Sequence, residues 1–137
     1  MKTCNGRWVI LLLVIGVSGC VKNDVKPKLG SNEKGEINLG YYQTYDIEEP
    51  DMELTMQGVT TDSRCPMDAN CSSGEAEVRF SFEVKEHVTI FSLTTISTPS
   101  KVIDGYRVRL VGLSPQPVSN KTIPKGEYVA TVTITEE

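Results

Sequence analysis

The chain predicts an all-β domain, a single antiparallel β-sandwich or a small barrel of six to seven short strands. Three observations carry this. Apolar residues recur with period two, most strictly over residues 75–84, where Ala76, Val78, Phe80, Phe82 and Val84 alternate with charged or hydroxyl residues. That is the pattern of a strand with one face on a core and the other in water. Turn residues interrupt the apolar runs at short intervals, and no window carries the apolar spacing of an amphipathic helix.

The elements follow in order. Ile37, Leu39, Tyr41, Tyr45 and Ile47 form a first run in which Tyr41 and Tyr45 face inward and Tyr42 outward. Glu49-Pro50-Asp51 turns the chain into Met52, Leu54 and Met56, a strand ending near Val59. A cysteine loop leads to the alternating strand over 75–84. A further strand around 88–96 has Ile90, Phe91, Leu93 and Ile96 spread over both faces. Thr98-Pro99-Ser100 and Asp104-Gly105 precede Tyr106, Val108 and Leu110; Ser114-Pro115-Gln116-Pro117 and Pro124-Lys125-Gly126 precede Tyr128, Ala130, Val132 and Ile134. The runs are rich in β-branched and aromatic residues. Strands of this number and spacing suggest an immunoglobulin-like sandwich, without that fold's core Trp or its inter-sheet cysteine pair.

The N-terminus has a different character. Lys2 and Arg7 precede ten apolar-rich residues, 8–17, followed by the small residues Ser18 and Gly19 before Cys20. This is the layout of an export signal, too short to span a bilayer, which takes about 20 apolar residues. Val17-Ser18-Gly19-Cys20 resembles the lipobox of bacterial lipoproteins. The resemblance implies cleavage after Gly19, diacylation of Cys20 and a membrane partner reached through N-terminal acyl chains. The expected organisation is therefore a signal peptide at 1–19, a flexible tether at 20–36 and a β-sandwich domain at 37–137. The tether is rich in Lys, Asn, Asp, Gly, Ser and Pro and cannot bury enough apolar surface to fold. Val21 after the cysteine resembles outer-membrane sorting, which implies a lipid-anchored protein facing the periplasm or the cell surface.

Removal of residues 1–19 leaves 118 residues, and the loss of Lys2 and Arg7 takes the net charge from −4 to about −6. One domain of this size buries roughly 65% of its unfolded surface without needing a metal. An acidic balance excludes a nucleic-acid partner and electrostatic adhesion to an anionic leaflet. Cys4 leaves with the signal and Cys20 is acylated, so Cys65 and Cys71 remain as the one pair that an oxidising compartment would join.

Those two cysteines lie in Asp62-Ser63-Arg64-Cys65-Pro66-Met67-Asp68-Ala69-Asn70-Cys71. The segment resembles a loop of small secreted bacterial proteins, many of them lipoproteins, in which Asp-Ser-Arg-Cys-Pro is followed by a second cysteine, an aromatic, a Gly and a strand. The likeness extends over residues 50–135 through residues 105–110 and the Pro-rich turn at 114–117. It implies fold and compartment, and carries no catalytic residue across. Here Ser72-Ser73-Gly74 replaces the usual aromatic-Ala-Gly, so the aromatic's packing over the loop is lost or falls to Met67. Physically, a short disulfide would hold Asp62, Arg64 and Asp68 together as a loop network. A local staple is the favoured reading, with a partner-recognition tip as the alternative; the Cys-x-x-x-x-x-Cys spacing is not that of a redox motif.

Other groups point to less. Asp46, Glu48, Glu49 and Asp51 are hard oxygen ligands around Pro50 and a candidate Ca²⁺ site, but match no EF-hand spacing, and a solvated acidic turn is the favoured reading. His87, the sole histidine, has no second ligand or nucleophile nearby in sequence and reads as a strand-end polar residue. Glu75, Glu77 and Glu83 share a face with Arg79, and Arg107 and Arg109 could oppose them across strands. Tyr42 is an exposed aromatic of the kind favoured at binding surfaces. No nucleophile elbow, P-loop or dinucleotide fingerprint occurs, and no cofactor is implied.

The function these features predict is a lipid-anchored, non-enzymatic binding or accessory module of the bacterial envelope, with an envelope protein as a possible partner. The alternative is a protease inhibitor or small enzyme using loops at one sandwich end: the cysteine loop, the turn from Pro99 to Asp104 and the segment from Ser114 to Lys125.

Overall fold

The computed structural model describes residues 35–48 and 50–137. The expected export signal, the expected acylation site Cys20, the expected tether up to residue 34, and Glu49 of the acidic stretch lie outside the described residues. Eight strands form: β1 (Ile37–Gly40), β2 (Thr44–Ile47), β3 (Met52–Asp62), β4 (Ala76–Val84), β5 (His87–Thr94), β6 (Ser100–Ile103), β7 (Tyr106–Ser114) and β8 (Val129–Glu136), with one 3₁₀ turn at Lys125–Glu127.

They make two four-stranded antiparallel sheets in the orders β1-β8-β7-β6 and β2-β3-β4-β5, a β-sandwich without barrel closure. Every ladder joins strands adjacent in sequence except β1–β8. The connectivity is thus an up-and-down meander cut at two seams, β1/β2 and β5/β6, instead of the Greek key of immunoglobulin domains.

The inward positions of both sheets build one core, with Leu39, Leu54, Met56, Val78, Phe80, Phe82, Leu93, Val108 and Val132 fully buried. Phe80 stacks on its cross-strand partner Phe91 at 5.7 Å. Phe82 meets Tyr106 of the other sheet edge-to-face at 6.3 Å, a contact that joins the layers.

The run at 37–47 is two strands in different sheets, not one. Gly40 ends β1, and Tyr42, with φ 55°, turns the chain across the seam. Tyr41 consequently sits in the turn and is exposed, whereas Tyr45 packs partly against the core. β6 arises from the segment expected to be a turn. Arg107 and Arg109 lie in β7, in the sheet opposite Glu77 and Glu83 of β4, so they do not oppose them; Arg107 pairs with Glu137.

Bulges set which end residues face inward. In β7 a shift between Leu110 and Gly112 exposes Val111 and turns Leu113 inward opposite Ala130. In β3 shifts at Met56/Gly58 and Val59/Thr61 restore the original parity, so Asp62 ends the strand opposite buried Ala76, on the core side.

Candidate functional site

β1, β3 and β7 end, and β4 and β8 begin, at one end of the sandwich. That end gathers the cysteine loop, the segment 115–128 and the Tyr41–Tyr42 turn. The turns at 50–51 and 104–105 occupy the opposite end.

Asp62 closes the loop end from inside. Arg64 donates to it from Nε at 2.8 Å, from Nη2 at 2.8 Å and from its backbone N–H at 3.2 Å, and the Tyr128 hydroxyl donates at 3.0 Å. Both side chains of the ion pair are nearly buried, at 12% and 8% exposure. Burial pushes the Asp62 carboxyl up, but the hydrogen bonds from Arg64 and Tyr128 outweigh it and hold it below the usual carboxylate range. Burial, then the bond to Asp62, pushes the Tyr128 phenol up. The remaining guanidinium donors reach the carbonyls of Leu113 at 2.6 Å and Pro115 at 2.9 Å. One arginine from the end of one sheet thereby seals the other.

Cys65 and Cys71 are disulfide-bonded, with Cα atoms 5.9 Å apart. Asp68 does not join the Arg64 network; it accepts from the Ser119 N–H at 2.8 Å, and that bond lowers its pKa. Met67 donates its N–H to Pro117 at 3.0 Å, while its side chain is 70% exposed and does not pack over the loop. The cysteine loop and the segment 115–128 are therefore docked on each other. The turn after β6, at Asp104, is at the far end, so it takes no part in this loop cluster.

A shallow groove of about 160 Å³ runs between the Tyr41–Tyr42 turn and the Gly58 bulge, with Arg79 and Lys125 among its lining residues. Tyr41 and Tyr42 meet edge-to-face at 4.6 Å, and Tyr42 is 64% exposed. The turn is pinned to β3 by bonds from the Tyr42 N–H to Met56 at 2.8 Å and from the Met56 N–H to Gln43 at 3.1 Å. Gly58 has φ 141°, and a Cβ there would lie 3.1 Å from the Tyr41 ring, so both backbone shape and the ring's seat call for glycine.

The remaining candidates are dispersed. Asp46 sits on β2 opposite Glu53; Glu48 and Asp51 lie in the following turn. Among the described residues no group of three or more carboxylates, histidines and cysteines is placed to hold a metal ion. His87 begins β5 and meets Asp104 at 2.8 Å on the surface. Glu75 accepts from the Ser97 N–H and hydroxyl, which lowers its pKa.

The loop pair Asp62–Arg64 was readable from adjacency in sequence. The groove was not, apart from Tyr42, because its cations come from distant segments. No protein-family model, no curated protein and no solved structure matches this chain.

Proposed function

We propose that this chain is a lipid-anchored bacterial envelope protein whose sandwich is a non-enzymatic binding or accessory module presenting its loop end to a partner. The observation that carries the reading is the polarity of the fold. β1 starts at Ile37, directly after the tether segment and opposite Val132 midway along β8, and runs toward the loop end, which it reaches at Gly40 opposite Val129. β3, with 11 residues, runs on the order of 35 Å at about 3.3 Å per residue. Because β1 enters running toward the loop end, an anchor at Cys20 would direct the docked loops away from the bilayer.

The chemistry at that end supports binding over catalysis. Asp62 has both oxygens occupied by donors, Cys65 and Cys71 are joined, and His87 is at the opposite end. Intact mass of the protein from its native membrane, before and after reduction and alkylation, tests anchor and staple together. The expected mass lacks residues 1–19, carries acyl chains, and gains two alkyl groups only after reduction. An unprocessed chain with free thiols would remove the compartment argument.

Exposed Met67, on a disulfide loop docked against a second segment, favours one alternative: a protease inhibitor whose rigid loop enters an active site. Inhibition by the full protein that disappears in Cys65→Ser would favour it over the accessory-module reading.

A further inference from the structure

We infer that the groove at the Tyr41–Tyr42 turn binds an acidic saccharide, a sugar ring bearing a carboxylate. The inference rests on the binding-module reading and names the ligand class of its loop end.

The aromatic platform is built and held. Tyr42 adopts a left-handed backbone, φ 55°, which costs a residue with a Cβ roughly 1 kcal/mol, yet its ring is exposed and outside the core. Its backbone bonds to β3 fix the turn, so little loop ordering remains when a ligand arrives. The Tyr41 ring rests against Gly58, and with an interplanar angle of 80° the two rings offer a face beside an edge. The electron-rich face of a phenol ring attracts the polarised C–H groups on the apolar side of a sugar.

The charge is equally particular. Arg79 projects from the outer face of β4 and Lys125 from the 3₁₀ turn before β8, and among the described residues neither forms an ion pair. In a chain where 18 acidic residues face 14 basic ones, two cations from distant segments line one groove, and among the described residues no carboxylate pairs with either. A ligand carboxylate would supply the partner, with Arg79 able to donate in two-point fashion. Gln57 and Thr60 also line the groove; the Gln57 amide can exchange hydrogen bonds with ring hydroxyls, and the Thr60 hydroxyl, which donates to the Glu77 carbonyl at 3.3 Å, can accept one.

Size and lining select a sugar over a peptide. The volume of about 160 Å³ lies below the roughly 300 Å³ of the smallest drug-sized pockets and suits a single ring. A peptide terminus would also want an apolar pocket for its last side chain, and among the described residues Val59 is the sole aliphatic one lining the groove.

The test uses the full-length protein in detergent micelles, titrated calorimetrically with an oligoglucuronate, the matched neutral oligoglucoside and a short peptide with a free aromatic C-terminus. The oligoglucuronate should bind at least about tenfold more tightly than the neutral chain, and Tyr42→Ala, Arg79→Gln and Lys125→Gln should each weaken it about tenfold. All three side chains are exposed, so the variants should melt with the parent. Equal affinity for acidic and neutral sugars, preference for the peptide, binding indifferent to the three substitutions, or no binding by the folded protein would each overturn the inference. If acylation is intact and the sugar does not bind, the groove assignment alone fails; if the sugar binds to a chain that is never acylated, the envelope address fails and the groove stands.

Discussion

Arg64 grips Asp62 by two parallel bonds of 2.8 Å, Nε to one carboxylate oxygen and Nη2 to the other. The pair faces the core side at the end of β3, where Arg64 also bonds carbonyls at the end of β7. It acts as the end-closure of the sandwich. Removing one partner strands a nearly buried charge, which in such pairs costs about 3 kcal/mol or more. Asp62→Asn and Arg64→Met should each lower unfolding free energy by about that amount in urea titrations. The double variant should lose clearly less than the two losses added together, since no charge is left alone. Additive losses would mean that the two residues do not act as a pair. Tyr128→Phe, removing one donor, should cost about 1 kcal/mol.

The same carboxylate gives stability a pH dependence of known sign. Its pKa is lower in the folded protein than in the unfolded chain, so the unfolded state binds the proton more readily. The contribution is complete above the ordinary carboxylate range, about pH 4, and is lost as pH falls through the lowered native pKa. Asp68, Glu75 and Glu137 are also lowered, at the surface. Urea unfolding from about pH 7 down to about pH 2 should therefore show a steeper acid loss in the parent than in Asp62→Asn. Superimposable slopes would assign the acid sensitivity to the surface carboxylates instead.

Reduction of Cys65–Cys71 should act locally. The β3–β4 ladder already pairs Asp62 with Ala76 across the base of the loop, so the core does not depend on the bridge. Closing so short a loop restricts the unfolded chain by about 2 kcal/mol. The urea midpoint should fall correspondingly with an unchanged m-value, and limited proteolysis should open between residues 66 and 72 first. A collapse of the m-value would show that the bridge holds more than its loop.

Strict alternation made the core of β4 and β8 legible, because Phe80, Phe82, Ala130 and Val132 bury at the positions that period two assigns. The same counting joins residues 37–47 into one strand, since Tyr41 and Tyr45 have equal parity; the sheet change hidden between them depends on a left-handed Tyr42. β6 escaped for a different reason. It has four residues at a sheet edge with Lys101 and Val102 exposed, so no alternation marks it. Asp62 and Arg64 are neighbours in sequence and their pairing was visible, but the reach of Arg64 to Leu113, 49 positions away, is a tertiary fact. Arg79 and Lys125 likewise line one groove only once β4 and the 3₁₀ turn are placed. The two bulges in β3, which return Asp62 to the core side, carry no more local signal than a glycine.

Gly74, part of the Ser72-Ser73-Gly74 stretch after the disulfide, is the described glycine with the least room for a side chain. A Cβ built there would lie 1.7 Å from the carbonyl oxygen of Ser63 and 2.6 Å from its carbon. The obstacle is backbone, so no side-chain rotation relieves it. Ser63 cannot withdraw freely either, because its N–H and hydroxyl both bond the Glu75 carbonyl, at 2.9 and 2.8 Å. Gly74→Ala must therefore part the two strands of the loop base, at a cost of about 3 kcal/mol. Gly112 and Gly126 provide the contrast: a Cβ at either meets nothing within 4 Å, and Ala there should change stability by no more than about 0.5 kcal/mol. Thermal unfolding of the three variants side by side checks the contact. If Gly74→Ala melts with the other two, the close approach of residues 63 and 74 is not a fixed feature of the loop, and the base must open without loss of the β3–β4 ladder.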